Sequence, residues 1–540
     1  MRKALIFLVT FFVTLSAFSA FITEDDTIAT RIQDGKWVSD LDADGEDSSV
    51  VASESSNLGY QPTGTANTSD PNLVHNFNAE LESAYQGFFT IGTQWVDTHP
   101  EIPALSEYNA VYNNADDGYG TGIDAALTFH ENGTSFFISG QGGGYNNFDL
   151  NNGAQDSIIE LSIPALIKPS DPNNRTGVQT ATALQPWAAP FRHNLTSNYG
   201  FHSILGMFYD DVTNKLCVQG VVDYDSPPWT QDNMLCYRTP SDLANSAVDG
   251  FYQVQATTAE IAGTNAAHAA TWMADIPSAW QATLGGRILW GGGKNASIFS
   301  RASAGPSLFA GTLDAIGTSG ALTVTRHMDF WDQTGKVFGA HYFPNRETEP
   351  LPWYVHEMFN CDRDQSAYRC DAYDDPAGEG QTANAIAWIN DWFTIVTYAH
   401  QGFIIPGTRT YAVVGQMAGG EEGVVYKGNP PYLNNGQDGG SNHCGGPCRN
   451  VYTDVHNKYW LFDLDDITGA ANPWEVFPYE HGYITFLDQF ETIDGNRSIM
   501  RNATFDLQSG RLAVVMTGRG GAEPYPEADV VIFQNPAWSE

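Results

Sequence analysis

The amino-acid sequence predicts an all-β protein, and three observations lead to this prediction. Short runs of β-branched, aromatic and aliphatic residues recur from about residue 79 onward. The 53 glycines and 27 prolines have no Gly-X-Y period, and they indicate many tight turns between these runs. Hydrophobic residues make up 42% of the 540-residue chain and aromatic residues 13%, which is enough apolar material for a large core. No helical stretch with clear capping residues competes with this pattern.

The charge balance excludes one class of function. The chain has 63 acidic residues against 25 Lys and Arg residues, which gives a formal net charge of −38. A nucleic-acid binder needs positive charge to neutralise phosphates, so this class is excluded. A solvated acidic shell is instead typical of a protein that works in a salty extracellular medium.

The first 19 residues have the pattern of a signal peptide. Met1-Arg2-Lys3 is a short positive segment, and Ala4–Phe18 is an apolar run shorter than the ~20 residues of a membrane span. Ala17-Phe18-Ser19 supplies the small residues of a cleavage site. The sequence therefore predicts secretion, extracellular or periplasmic, with no membrane span.

Residues 20–78 are rich in Asp, Ser, Thr and Gly, and they are predicted to be an acidic leader or linker. Within them, oxygen-bearing side chains alternate as in the first half of a calcium loop, at Asp40, Asp42, Asp44 and Glu46. The twelfth position of such a loop is Val51 instead of Glu. A weak calcium site and a plain acidic linker both remain open.

The six cysteines form three local pairs along the chain. An even number of cysteines in a secreted protein predicts disulfides, and zinc is the weaker alternative because no paired Cys/His signature is present. The predicted disulfides are Cys217–Cys236, Cys361–Cys370 and Cys444–Cys448.

A strand pattern repeats five times after residue 79. Each copy begins with a polar residue followed by small and apolar residues, and the five first strands are Asp124–Phe129, His202–Phe208, His268–Trp272, Asn384–Trp388 and Arg501–Phe505. Each second strand is an apolar run that usually ends in glycine, at Ser135–Gly140, Lys215–Gly220, Arg287–Gly291, Thr410–Gly415 and Arg511–Met516. Third strands are predicted at Ser157–Ile163, Asn233–Arg238, Pro306–Leu313, Tyr459–Leu464 and Ala528–Phe533. Fourth strands are predicted in four copies, at Val178–Leu184, Gly250–Val254, Ala321–Arg326 and Trp474–Tyr479.

An additional strand, Tyr85–Ile91, precedes the first copy, while the fifth copy lacks a fourth strand. An N-terminal strand that completes the last sheet closes a ring without leaving an open edge. In this arrangement the chain resembles a five-bladed β-propeller, with residues 79–540 as one domain and insertions at about 337–381 and 417–458. Six or seven blades, or a pair of β-sandwiches, remain alternatives because the copies are unevenly spaced.

The resemblance to a propeller implies a ring of polar residues at the mouth of a central channel, because first strands line that channel. The implied catalytic residues are Asp124, His202, His268, Asn384 and Arg501, with Tyr119, Tyr199 and Arg497 as neighbours that bind substrate. The alternative is that these positions are polar only because such a channel holds water.

Two histidines and an arginine suit β-elimination of a uronic-acid glycan, because one His removes a proton, another donates one, and Arg neutralises the carboxylate. Hydrolysis needs a pair of carboxylates across the scissile bond, and the ring offers Asp124 alone, although the loop acids Asp116 or Asp117 could supply the second one. A metal held by Asp124, His202 and His268 is a weaker option. The high negative charge opposes a polyanionic substrate unless salt, calcium or local Arg screens it.

The function expected from the sequence is therefore the engagement of an extracellular polysaccharide or glycoconjugate at the channel mouth, with a polysaccharide lyase favoured over a glycoside hydrolase. The alternative is a non-catalytic adhesion or cell-surface interaction module stabilised by calcium, the only cofactor that the sequence suggests.

Overall fold

Strands dominate the described part of the chain. A computed structural model describes residues 70–91, 126–131, 133–139, 158–188, 203–221, 233–237, 239–246, 248–256, 266–293, 306–313, 320–329, 397–418, 455–471, 473, 476, 478–493, 495–520 and 527–540. The strands are β1 Tyr85–Thr90, β2 Leu127–Phe129, β3 Ser135–Ser139, β4 Ile158–Ser162, β5 Ala183–Ala188, β6 Ser203–Asp210, β7 Lys215–Val221, β8 Met234–Tyr237, β9 Val248–Ala256, β10 Trp272–Asp275, β11 Ile288–Gly291, β12 Leu308–Gly311, β13 Gly320–Met328, β14 Tyr398–Ile404, β15 Thr410–Ala418, β16 Val455–Asp463, β17 Glu480–Tyr483, β18 Met500–Asp506, β19 Arg511–Gly520 and β20 Glu527–Gln534.

Helices in the described residues are few and short. The α-helices are α1 Phe77–Ala84, α2 Ser278–Leu284 and α3 Leu464–Gly469, and short 3₁₀ turns lie at Pro240–Asn245, Ala266–Ala269, Leu487–Gln489 and Pro536–Trp538. Helix α1 crosses the predicted boundary between leader and domain at residues 78–79, and its Phe77 side chain is fully buried. No helix in these ranges is both long and apolar enough to cross a membrane.

The strands form five consecutive four-stranded units. Unit one is β2–β5, unit two β6–β9, unit three β10–β13, unit four β14–β17, and unit five β18–β20 together with β1. Within each unit neighbouring strands run antiparallel and follow one another along the chain, except that β1 supplies the fourth strand of unit five. The prediction that the N-terminal strand completes the last sheet is confirmed, since Thr90 lies opposite Asp529.

Units two and three join into one eight-stranded sheet, which the sequence did not predict. The fourth strands β9 and β13 pair in parallel, with Tyr252 opposite Gly320. The two end strands of this sheet, β6 and β10, also contact each other, so the sheet is nearly closed. Both β9 and β13 are nine residues long, and pairing satisfies backbone groups that two separate edges would leave exposed.

The first strands of the units are neighbours in a closed order. Strand β2 contacts β6, β6 contacts β10, β10 contacts β14, β14 contacts β18, and β18 returns to β2. The strands approach closely where Gly206 lies in β6, because a Cβ there would be 2.1 Å from the carbonyl oxygen of Thr271. Glycine is therefore needed at this contact.

The described core consists of five hydrophobic clusters, each shared by two successive units. They lie between units one and two, two and three, three and four, four and five, and five and one. In β19, Leu512 and Val514 enter the cluster with unit four, whereas Ala513 and Val515 enter the cluster with unit one. Because both faces of this sheet are buried, its second strand is a continuous apolar run instead of an alternating one.

The disulfide predicted between Cys217 and Cys236 is confirmed. The two residues lie opposite each other on β7 and β8, with Cα atoms 4.0 Å apart, and both are fully buried. The other predicted pairs, Cys361–Cys370 and Cys444–Cys448, lie outside the described residues, as do residues 1–69 with the signal peptide and the calcium-loop residues Asp40, Asp42, Asp44 and Glu46.

The strand predictions needed one main correction. The strand that pairs with Thr410–Ala418 is Tyr398–Ile404, and not Asn384–Trp388 as predicted. A tight turn joins the two strands, with Gly407 at a φ of 72° and Thr408 N–H bonded to Ile405 O at 3.2 Å. This turn makes 398–404 the local partner. Two fourth strands also lie further along the chain than predicted: Ala183–Ala188 overlaps the predicted Val178–Leu184 only at its start, and Glu480–Tyr483 shares no residue with the predicted Trp474–Tyr479. In unit three, His268 lies in a 3₁₀ turn before the first strand, which begins at Trp272.

Candidate functional site

The candidate site lies at the edge of the sheets where the first strands begin. Because neighbouring strands are antiparallel, this edge also contains the ends of second strands and the starts of third strands; we name it the upper face. Contacts between units hold these edges together: Ala399 N–H donates to Gly293 O at 3.1 Å, and Gln219 Nε2 donates to Ala269 O at 2.7 Å. The opposite edge is named the lower face.

Three of the predicted site residues belong to the described part of the chain, and all three lie at the upper face: His268, Arg501 and Arg497. The remaining predictions, Asp124, His202, Asn384, Tyr119 and Tyr199, lie outside the described residues. Their proposed roles stay predictions.

Arg501 occupies an irregularity near the start of β18. The register of β18 against β19 shifts between Met500 and Asn502, so Arg501 is the extra residue of a β-bulge. Its side chain is half-buried, and its Nε is buried without a hydrogen-bond acceptor in the described residues. A bulge redirects a side chain away from the regular pleat, so local backbone geometry sets the direction in which the Arg501 side chain leaves the strand.

His400 holds the equivalent position in the neighbouring first strand, and sequence reasoning missed it. The register of β14 shifts between Ala399 and Gln401, which makes His400 the extra residue there. Strand β6 has the same shift at Leu205. His400 is buried, and its strand contacts β18. The signal that could have found it is the short turn after Ile404, which places Tyr398–Ile404 next to the second strand.

His268 belongs to a buried charged cluster. Its Nδ1 lies 2.7 Å from Asp329 Oδ1, and Arg326 Nε lies 3.1 Å from Asp329 Oδ2. The His268 side chain is only 1% exposed, and those of Arg326 and Asp329 are fully buried. The carboxylate fixes the orientation of the ring and favours the tautomer that carries hydrogen on Nδ1. Sequence reasoning found the histidine but not its partners, because Asp329 follows the fourth strand of unit three and is 61 residues from His268 in the sequence.

A second histidine–aspartate pair lies between units four and five. His456 Nδ1 is 2.9 Å from Asp488 Oδ2, and the His456 ring stacks on Tyr483 with centroids 4.1 Å apart. The predicted residue Arg497 also faces Asp488, with its Nε 3.4 Å from Oδ2, and its Nη1 donates to Val455 O at 2.7 Å. In both clusters, therefore, one carboxylate lies between a histidine and an arginine.

Buried polar atoms without partners recur around the upper face. At least one lies in each of the five units, and the following five have no hydrogen-bond partner within the described ranges: Ser139 Oγ, Gln219 Oε1, Thr271 Oγ1, Gln416 Oε1 and Arg501 Nε. Buried polar atoms are nearly always satisfied by protein, water or ligand. These five are hydroxyl, amide and guanidinium groups, which water or a polar ligand can satisfy.

Metal ligation finds no support in the described residues. They contain no group of three or more His, Cys, Asp or Glu side chains arranged to hold a metal ion. The weak calcium loop predicted at residues 40–46 lies outside them, so calcium stays a prediction that rests on sequence alone.

The arrangement can bind anions and orient imidazole rings. Arg501 and Arg497 offer guanidinium groups, and Asp329 and Asp488 orient the His268 and His456 rings. No protein family matches the chain, and neither a curated protein nor a solved structure is significantly similar to it.

Proposed function

We propose that the chain is a secreted five-bladed β-propeller whose upper face binds an extracellular glycan that carries carboxylate groups. Each of the five units is one proposed blade. Two features support this architecture: the closed order of the five first strands, and the five core clusters that are each shared by successive units.

The observation that carries the glycan proposal is the position of Arg501. Its guanidinium is half-buried at a bulge, has an unpaired buried Nε within the described ranges, and lies on the face that carries the other unpaired polar atoms. A planar guanidinium matches a carboxylate in geometry and charge, and a uronic acid supplies a carboxylate beside ring hydroxyls.

The net charge of −38 opposes a polyanion at long range. Arg326, Arg497 and Arg519 also lie at the upper face, but each already faces a carboxylate, that of Asp329, Asp488 or Asp529. Arg501 differs from them because its buried Nε has no acceptor within the described residues. Salt screens repulsion over distances longer than ~10 Å at 0.1 M, whereas a partly buried contact is screened much less. We therefore expect a polyuronate to associate faster at moderate ionic strength than at very low ionic strength.

Calorimetric titration of the protein with a polyuronate and with an uncharged polysaccharide tests the proposal. We expect binding of the polyuronate, and a loss of about tenfold or more in affinity on Arg501→Gln, because the charged hydrogen bonds to the carboxylate are removed. The matched control is Arg511→Gln, which removes a half-buried arginine from the next strand at the lower face and should leave affinity unchanged. Equal affinity of wild type and Arg501→Gln for the polyuronate would contradict the proposal.

Cleavage by β-elimination is the second candidate, and the orientation of His268 by Asp329 favours it. In this reaction a base removes the C5 proton beside the carboxylate, the C4–O bond breaks, a C4=C5 double bond forms, and an acid protonates the leaving oxygen. His268 and His202 are the predicted proton-transfer groups. Incubation with polyuronates should then produce the ultraviolet absorbance of an unsaturated uronate, and His268→Gln should abolish it while binding persists.

The burial of His268 at 1% exposure favours the alternative of a non-catalytic adhesion or surface-interaction module. In that case the polyuronate binds without any rise in absorbance, with or without added calcium. This outcome would overturn the lyase candidate but leave the proposal of glycan binding intact.

A further inference from the structure

We infer that Asn457 is a positioning residue that sets the direction of the Arg501 guanidinium. This inference rests on the proposed function of Arg501, because it explains how that side chain is held ready for a carboxylate. Asn457 lies near the start of β16 in unit four, whereas Arg501 belongs to β18 of unit five.

The Asn457 side chain is fully buried and contacts the segment that leads into β18. Its Oδ1 accepts from Met500 N–H at 2.7 Å, and its Nδ2 donates to Ser498 O at 3.1 Å. These two bonds fix the backbone immediately before the bulge at Arg501. A buried amide that loses either bond leaves a polar group unsatisfied, so the contact is costly to break.

Asp488 holds the Asn457 amide in turn. Its Oδ1 accepts from Asn457 Nδ2 at 2.8 Å and from Asn457 N–H at 3.1 Å, while its Oδ2 faces His456 and Arg497. The Asn457 amide is therefore held by Asp488 as well as by the backbone of Met500 and Ser498. The pair His456–Asp488 acts here as a support for Asn457.

The chain beyond the bulge is fixed by a second asparagine. Asn502 Oδ1 accepts from Ala503 N–H at 2.8 Å, and Asn502 Nδ2 lies 3.4 Å from Leu205 O on β6. Arg501 is thus held between Met500, bound by Asn457, and Asn502, bound across the ring of first strands. With the backbone fixed on both sides, the direction in which the Arg501 side chain leaves the strand is set before a ligand binds, which removes part of the entropic cost of binding.

The substitution Asn457→Asp tests this inference, because it keeps the shape but replaces the Nδ2 donor by a carboxylate oxygen that faces two acceptors, Ser498 O and Asp488 Oδ1. The matched control is Asn233→Asp in unit two: Asn233 is also a buried asparagine at the start of a third strand, where its side chain bonds both backbone groups of Val254. We expect Asn457→Asp to lower polyuronate affinity about three- to tenfold in the wild type but to have no further effect in an Arg501→Gln background. A general loss of stability would instead lower affinity in both backgrounds, and Asn233→Asp would do the same.

A readout without ligand separates this inference from the proposed function. In protein labelled with ¹⁵N at arginine Nε, the Arg501 signal is the one that Arg501→Gln removes. We expect Asn457→Asp to shift or broaden this signal and Asn233→Asp to leave it unchanged. If Asn457→Asp leaves it unchanged, or if both substitutions move it equally, Asn457 does not position Arg501. If wild type binds no polyuronate but Asn457→Asp alone moves the signal, the positioning holds and the proposed ligand is wrong.

Discussion

The carboxyl group of Asp275 has a higher pKa than an aspartate normally has. Asp275 ends β10 at the lower face, and burial, followed by the nearby carboxylates Asp211 and Asp210, raises its pKa to about 7. Arg287 opposes this shift only weakly, because it lies 2.6 and 2.8 Å from the two carboxylate oxygens of Asp210 but 3.9 Å from Asp275. Burial therefore dominates the pKa of Asp275, because the nearby arginine is already bound by another carboxylate.

The raised pKa of Asp275 predicts a pH dependence of stability. Between about pH 4 and pH 7 the folded state binds more protons than the unfolded state, so the free energy of unfolding falls as pH rises through this window. Asp275→Asn removes the ionisable group, and we expect it to stabilise the protein at pH 8 by about 1–3 kcal/mol and to differ little from wild type near pH 4. Urea unfolding at both pH values measures this. Asp465→Asn is the control, since that side chain is 61% exposed. An equal increase in the free energy of unfolding for Asp465→Asn at pH 8 would contradict the prediction.

Strands were the elements that sequence reasoning placed best, for a reason visible in β19. Its residues alternate between two buried clusters, so every position from Leu512 to Met516 is apolar and the run is conspicuous. The first strand of unit four was misplaced because Asn384–Trp388 fits the pattern of a polar residue followed by small and apolar residues, whereas Tyr398–Ile404 has His and Gln in its middle. Only the turn at Gly407 and the resulting register show which one pairs with β15.

The disulfide between β7 and β8 gives a prediction about the contribution of this strand pair to stability. Cys217 and Cys236 are 19 residues apart, and closing a loop of this length restricts the unfolded chain. We expect replacement of both cysteines by alanine to lower the free energy of unfolding by about 2–4 kcal/mol, as measured by guanidinium titration. Because both residues are fully buried, mild reductant should leave the folded wild type unchanged. A decrease below about 0.5 kcal/mol in the free energy of unfolding would show that β7 and β8 are held together without the disulfide.

Strand β1 completes the sheet of unit five and packs against both neighbouring units. Phe88 enters the core cluster between units four and five, and the next residue, Phe89, enters the cluster between units five and one. Strand β1 therefore contributes to both hydrophobic clusters that flank the sheet of unit five. Without it, β20 would expose an unpaired edge.

The closing role of β1 predicts that Phe89→Ala lowers the free energy of unfolding by about 3–5 kcal/mol, since it removes a fully buried aromatic ring. Leu184→Ala is the control, because Leu184 is 54% exposed and should change stability by less than about 0.5 kcal/mol. Denaturant titration of both variants measures the difference. Similar costs for the two would show that β1 is not part of the cooperative core.

The sequence alone determined the strand pattern, the N-terminal strand that completes the last sheet, and one confirmed disulfide. These features depend on local composition and on short spacings along the chain. The tertiary structure decided the bulges at His400 and Arg501, the pairing of β9 with β13, the partners of His268, and the contacts that hold the backbone beside Arg501. Asp329 lies 61 residues from His268, and Asn457 binds the backbone 43 residues ahead at Met500. Such contacts arise from the packing of one unit against the next, and a local pattern of residues does not contain that information.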